Sequence, residues 1–465
     1  MEKYINSNIN NIGYNKKQTK IIKQKDGFNY NIINKSKTKL IKTIILNLLI
    51  IIKCFNIVFS LNSTSLYRKL QTIQKIKLKV LFPGSQEIIY PDYINNLQVY
   101  VNDELVSIDI NNKIDISDSN NIITLQFGIS IINCDKMFYG LTNIVEVDLT
   151  EFDTSEITSM KSFFENCENL QKITFSENYR IFIDSTKNFF SNCKSISSLD
   201  LSCFDTSEVT SMEYMFNNCT LLTYIIFPNS FNTEKVKNME RIFSNCESLT
   251  SLDLSFFNTP LVENLNNMFE NCISLQYLNI ENSDTSNTTE MKYMFSQCQS
   301  LISLDLTNFN TELVKDMNDM FNGCSSLTSL DLSSFNTKSV ERMNKLFKNC
   351  NSLTSLDVSH FDTSKVTEME SFFEGCKLLT SIDVSLFNTS SCTTMSNMFS
   401  NCELLTSIDI SNFDTSKVTS MKNMFTRCRL ISSLDFSNFN TDLVISLEKM
   451  FDECISLKSL DLSNF

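Results

Sequence analysis

A cysteine returns every 26 residues through most of this chain. Cys167, Cys193, Cys219, Cys246, Cys272, Cys298, Cys324, Cys350, Cys376, Cys402, Cys428 and Cys454 keep that spacing, apart from one step of 27 between Cys219 and Cys246. Leu141 stands one period before Cys167. Each unit is numbered here from its cysteine, with residues 324–349 (CSSLTSLDLSSFNTKSVERMNKLFKN) as the template; apolar residues then recur at 1, 4, 7, 9, 12, 17, 20, 23 and 24. A fixed period of this length predicts a solenoid, because no unit can cover its own apolar positions and only its neighbours can. Leu330, Asp331 and Leu332 alternate apolar, polar, apolar, the period of a strand with one buried face. Val340, Met343, Leu346 and Phe347 are spaced by three and four, which predicts one stripe on a short helix. Pairs such as Thr415 and Ser416 stand where a hydroxyl would cap that helix. Asn or Gly at position 26 (Asn349, Gly375, Asn401) predicts a left-handed residue at its end. The expected fold class is therefore an α/β repeat: a solenoid with a strand and a short helix in each 26-residue turn.

Met398, Phe399, Cys402, Leu405, Ile408, Asp409, Phe413, Thr415, Val418 and Met421 follow the pattern MFxxCxSLTSLDLSxFNTSxVTxM. In these positions residues 137–465 resemble the BspA-type leucine-rich-repeat surface proteins. The resemblance implies a leucine-rich-repeat solenoid used at a cell surface, and it implies no enzymatic activity. The ligands of that family are diverse, so it carries over no binding site.

Charge divides the chain. Residues 1–79 hold 16 Lys and Arg against 2 Asp and Glu, whereas the remainder holds 24 against 51. Residues 1–42 are basic and without apolar periodicity, and are expected to be a disordered leader. Residues 43–61 (TIILNLLIIIKCFNIVFSL) are the most apolar run. Two readings compete for them: a signal peptide cleaved after Ser60, or an uncleaved anchor in a membrane. Lys53 at the centre opposes spanning and favours cleavage. Residues 62–136 read as a small β-rich cap for the first rung, with strands at 76–82, 97–101 and 122–127 and a hairpin turn at Asn102-Asp103.

Scarcity excludes several chemistries. His360 is the single histidine and falls at a variable turn position, so a Ser-His-Asp triad or a His-ligated metal has nothing to build on. The seven glycines are scattered and form no phosphate-cradling loop. No catalytic, metal-binding or cofactor-binding residue is expected, and no cofactor. The acidic repeats repel phosphate backbones, which argues against nucleic acid.

Stacking places equivalent positions side by side. One column is the cysteines, read as buried free thiols in preference to disulfide staples or a metal chain. Another is position 8: Asp148, Asp200, Asp253, Asp305, Asp331, Asp357, Asp383, Asp409, Asp435 and Asp461. With Ser at position 6 in most rungs, this column is expected to be a solvated acidic face, not a calcium site or a glycosidase-like pair of carboxylates. The pattern breaks at Lys172, Tyr224, Ile226, Tyr277 and Asn279, which form the candidate partner-binding patch. Asn62, Asn287 and Asn388 lie in N-x-[ST] sequons and are candidate glycosylation sites; Asn218 fits the motif but sits at the crowded position 26. The expected function is a non-enzymatic secreted or cell-surface repeat protein that binds a protein or glycan in adhesion. A membrane-anchored intracellular scaffold is the alternative, and a glycosidase using the aspartate column the least favoured.

Overall fold

The structure is a computed structural model that describes residues 74–463 and Phe465. The basic leader 1–42, the apolar run 43–61, Cys54 and Asn62 lie outside the described residues.

The chain enters through β1 (Gln74–Val80), whose residues alternate between buried and half-buried. β1 lies between β6 (Ile123–Phe127) and β7 (Ile144–Asp148), antiparallel to both. β7 is already the first rung strand, and it pairs in parallel with β8 (Lys172–Thr174). With β3 (Leu97–Val101) and β4 (Glu104–Val106), one six-stranded sheet in the order β4-β3-β6-β1-β7-β8 therefore runs from the N-terminal strands into the repeats without an edge. The apolar end of the first rung is covered by backbone pairing as well as by side chains. β3 and β4 form the expected hairpin, with Asn102 and Asp103 at φ 48° and 67°. Positive φ at both turn residues matches the right-handed twist of the strands, and Asn and Asp tolerate it best. β2 (Gly84–Glu87) and β5 (Lys113–Ile116) make a second, two-stranded ladder.

In the repeats the strand is short, and the expected strand in every turn is not formed: from the Cys298 rung onward positions 6 to 8 carry no strand among the described residues, only a bridge between Ser381 and Ser407. β10 (Ser198–Asp200), β12 (Tyr224–Ile226), β13 (Ser251–Asp253) and β14 (Tyr277–Asn279) occupy positions 6 to 8. They pair in parallel, β10 with β12 and β13 with β14, and the two-residue strands β9 (Ile181–Phe182) and β11 (Phe204–Asp205) pair in parallel as well. Position 9 leaves the strand but still donates its N–H to position 8 of the next rung, as in Leu201 to Ile226 and Leu254 to Asn279.

The predicted short helix is absent. Among the described residues the single helical element is the 3-10 turn Pro91–Tyr93, and positions 14 to 26 are a run of linked turns. The cause is a left-handed residue in mid-segment as well as at its end. Ser162, Asn188, Tyr214, Arg241, Asn267, Tyr293, Asp319, Lys345, Ser371, Asn397, Asn423 and Lys449, at position 22 (Arg241 is its equivalent in the 27-residue unit), all have φ between 54° and 59°. Position 26 is left-handed too, as expected; Asn349 has φ 58° and Gly375 φ 78°. A left-handed residue costs about 1–2 kcal/mol and ends a right-handed helix. Here it points alternate N–H groups away from the rung. Phe189 N–H closes a turn on Thr186 O and Ser191 N–H on Asn188 O, while Asn188, Phe190 and Asn192 donate to Glu213, Met215 and Asn217 of the next rung. An isolated helix would have satisfied these amides within itself; the turns use half of them to join rungs.

The threonine of the expected cap has a different task. Thr415 Oγ1 donates to Asn440 O of the next rung at 2.8 Å and accepts the Asn440 N–H at 2.7 Å. Thr285 and Thr311 make the same pair of bonds, and Thr337 donates likewise to Asp362 O at 3.0 Å. These hydroxyls are buried. The interior is otherwise apolar, and its spine is a column of position-24 phenylalanines from Phe138 to Phe451. From Phe190 to Phe347 successive rings stack at 5.4–5.8 Å within 11° of parallel.

Thr337→Val, which keeps the shape and loses the hydroxyl, is expected to cost about 0.5–1.5 kcal/mol, because it removes the bond to the Asp362 carbonyl. Thr337→Ser is expected to keep most of that stability. Urea unfolding midpoints measure both.

Candidate functional site

The strand face is built by positions 6 and 8, whose side chains leave the sheet on the side opposite buried position 7. On this face the aspartate column is exposed, as expected, but the carboxylates are also employed by the backbone. Asp331 Oδ1 accepts the N–H of Ser333 at 2.9 Å, and Asp383 and Asp409 each accept the N–H and the hydroxyl of the serine two residues on. Each aspartate thus closes an Asx turn that carries the chain off the strand. These hydrogen bonds hold the carboxyls of Asp305, Asp331, Asp357, Asp409, Asp435 and Asp461 below the ordinary aspartate range. A second Asx turn follows at position 13, for example Asp362 Oδ1 to Ser364 N–H at 3.0 Å. The Asp-x-Ser spacing in the sequence carried this signal, and a reading of position 8 as surface charge alone misses it.

The cysteine column is a row of free thiols among the described residues. Each buried thiol reaches one rung back: Cys324 Sγ donates to Phe295 O and Cys350 Sγ to Phe321 O, both at 3.2 Å. Desolvation raises the thiols far above their usual range, with Cys324 and Cys376 at about 12. Cys454 of the column and Cys203 outside it are half-buried. His360 is exposed, with Nε2 3.0 Å from Leu332 O and its ring edge-on to Phe361. No group of three or more His, Cys, Asp and Glu among the described residues could hold a metal ion.

The five patch residues all lie on the strand face, on alternate rungs. Lys172 opens β8 beside Glu146 of β7. Tyr224 and Ile226 are the outward residues of β12, opposite Ser198 and Asp200 of β10. Tyr277 and Asn279 are those of β14, opposite Ser251 and Asp253 of β13. Tyr224 is 52% and Tyr277 53% exposed, and Ile226 is 37% exposed. Ser251 and Asp253 occupy the rung between the two tyrosines. The parallel ladder on this face is interrupted between β12 and β13, where the 27-residue unit inserts its extra residue near Pro228. That insertion is covered by Phe227, Phe231, Phe256 and Phe257, packed ring to ring at 4.9–6.3 Å.

Two features beside the patch were not foreseen. The rung from Cys167 lacks the Phe at 12 and the Thr at 14, and its loop opens a cleft of about 390 Å³ lined by Phe175, Glu177, Tyr179, Arg180, Asp200 and Cys203. A smaller groove of about 160 Å³ lies where β1, β7 and β8 meet, with Lys77, Lys79 and Lys172 interleaved with Glu146 and Asp148. Lys79 pairs with Glu146 at 2.8 Å and Lys77 with Glu151. Of the sequons, Asn287 and Asn388 are exposed. Asn287 Nδ2 donates to Pro260 O at 2.6 Å, and Asn388 Oδ1 accepts the Ser390 N–H and hydroxyl. Asn218 donates to Asn192 Oδ1 at 2.6 Å within the position-26 column.

Two measurements check this chemistry. Iodoacetamide at pH 8 is expected to label Cys203 and Cys454 first among the described cysteines, and the buried column only in denaturant. Carboxyls with a lowered folded-state pKa contribute stability that is present above the unfolded value, about 4, and lost as pH falls through the folded value. The urea midpoint is therefore expected to fall with pH below about 4, with a shallower slope in Asp357→Asn, since Asn keeps the Asx turn but does not titrate.

Several solved structures are similar to this chain. A leucine-rich repeat protein of T. pallidum is 22% identical, with 37% of this chain and 73% of that chain covered and a TM-score of 0.25. A leucine-rich repeat protein from Bacteroides ovatus is 20% identical, with 63% and 84% covered and a TM-score of 0.30. A leucine rich cell surface protein from Faecalibacterium prausnitzii is 16% identical, with 57% and 85% covered and a TM-score of 0.26. At these TM-scores the fold rests on the rung geometry and not on the superpositions. None of the curated proteins matches the chain. Residues 118–179, 184–301, 272–381 and 354–465 match one family whose description leaves its function open. These segments span well over half of the chain and the whole run of repeats, so the chain belongs to the family described as "Mycoplasma protein of unknown function, DUF285".

Proposed function

We propose that this protein is a non-enzymatic, secreted or cell-surface leucine-rich-repeat protein of BspA type, which binds a protein or glycan through the strand face of its N-terminal rungs. The observation that carries the reading is the loss of repetition on that face. From the Cys298 rung onward positions 6 and 8 are uniformly Ser and Asp, while the earlier rungs carry Lys172, Tyr224, Ile226, Tyr277 and Asn279 there. Packing does not demand this variety, because position 7 presents its Leu or Ile to the core in both regions. Half-exposed tyrosines on a hydrogen-bonded strand have little conformational freedom to lose on contact, which suits them to recognition. The apolar run 43–61, whether cleaved or retained as an anchor, supports export.

Intact cells making the protein decide the compartment. External protease or a membrane-impermeant biotin reagent is expected to modify the repeats, and their protection would mean an intracellular scaffold. In an adhesion or ligand-binding assay, Tyr224→Ser with Tyr277→Ser is expected to weaken binding tenfold or more, as loss of an aromatic anchor costs about 2 kcal/mol. Stability is expected to stay within about 0.5 kcal/mol of the parent, since neither ring is buried.

A further inference from the structure

Resting on that reading, we infer that the face between Tyr224 and Tyr277 is a niche for a cationic side chain, and that its partner is an extended polypeptide carrying Arg or Lys.

Three consecutive rungs build the niche. Tyr224, Ser251 and Tyr277 follow one another at position 6, and Ile226, Asp253 and Asn279 at position 8. Large and small alternate, so two aromatic walls rise on either side of a serine floor with one carboxylate beside it. Hydrogen-bonded rungs stand about 4.8 Å apart, a spacing that would set the walls roughly 10 Å apart at their bases, although the step from β12 to β13 is not itself a paired one. A flat group in contact with both rings needs roughly 7–8 Å between them, so the rings would lean inward to hold a guest. No other rung has two tyrosine walls. The niche over Ser198 has Lys172 on its far side, and the one over Ser303 has Ser329.

The groups that would meet a guest are uncommitted. Among the described residues neither the Tyr224 nor the Tyr277 hydroxyl has a hydrogen-bond partner; the hydroxyl of Tyr214, by contrast, bonds Glu240 at 3.0 Å. Asp253 Oδ1 accepts the Ser255 N–H at 3.0 Å and among the described residues has no ion pair, which leaves its second oxygen for a guest.

Charge selects the guest. Beyond Lys172, positions 6 and 8 carry no Lys or Arg in any rung, while aspartates stand at position 8 on either side of the tyrosine rungs, at Asp200, Asp253 and Asp305. A free cation over a tyrosine face is attracted by the ring quadrupole, and more strongly where a carboxylate shares the site. An anionic partner would be repelled by the same column. A strand-like segment lying along the rungs would put alternate side chains on this face, one of them over Ser251.

The test uses the intact protein and two short Gly/Ser peptides, one with arginines at alternate positions and one with neutral citrulline in their place. Binding is read by calorimetry or by tyrosine fluorescence, which is unobscured because the chain has no Trp. The arginine peptide is expected to bind at least about tenfold more tightly than the citrulline peptide and to weaken with added salt. Asp253→Asn and Tyr277→Ser are each expected to reduce its affinity severalfold, and Tyr277→Phe to keep it. Asp409→Asn, on the uniform part of the face, is expected to leave it unchanged. The inference is overturned if arginine and citrulline peptides bind equally, if neither binds, or if Asp409→Asn weakens binding as much as Asp253→Asn. It is also overturned if a neutral oligosaccharide binds through Tyr224 and Tyr277 while the arginine peptide does not. That last result would leave the wider proposal of a partner-binding face standing, whereas unaltered adhesion in the double tyrosine variant would remove that proposal as well.

Discussion

Everything in the repeats depends on amides that bond forward into the next rung. Position 22 takes a left-handed conformation in every unit, at a cost that no single rung recovers. The recovery comes from outside, as Asn188, Phe190 and Asn192 donate to Glu213, Met215 and Asn217. With Thr186 donating to Ser211, four such bonds at this interface replace the helix a rung would otherwise form alone, and they bring each position-24 phenylalanine into ring contact with the next. Thr337 and its equivalents add a buried hydroxyl bridge, and the cysteines add a weak thiol bridge to the phenylalanine carbonyl one rung back. Stability is thereby moved from within the unit to the boundary between units, as expected for a quasi-one-dimensional protein.

The boundary at the N-terminus follows the same logic. A rung needs a partner for its backbone as well as for its apolar side chains. β1 supplies the first by pairing with β7, and its buried Ile76, Leu78 and Val80 supply the second. The cap is continuous with the repeat sheet because a merely apolar lid would have left the β7 amides unpaired.

Much of this was legible in the sequence. The period, the inward positions, the Asn102-Asp103 hairpin and the left-handed position 26 all follow from residue chemistry that leaves a local signature. The helix did not follow. Val340, Met343, Leu346 and Phe347 are spaced as a helical stripe, yet a chain of three-residue turns brings the same residues inward. The discriminating feature is position 22, which is filled by Ser, Asn, Tyr, Arg, Asp and Lys, with Gly in none, so nothing in its side chain announces φ > 0. The task of Thr415 was hidden for a related reason: hydroxyls cap helices and bridge rungs with the same atoms, and only the neighbouring rung decides between them. On the candidate face the sequence identified which rungs depart from the pattern. It did not show that Ser251 and Asp253 lie between the two tyrosines as part of the same surface.

Because one interface is nearly interchangeable with the next, the molecule is modular in its gene as well as in space. Excising or duplicating 26 codons anywhere among the uniform rungs would rejoin a phenylalanine to a phenylalanine and a threonine to the carbonyl it bridges, with no new surface to design. Reach can therefore change by whole increments while the tyrosine-bearing rungs are carried along intact. The 27-residue unit is the exception, since its extra residue is matched to the aromatic cluster around Phe231, and it marks a place where such recombination cannot be silent.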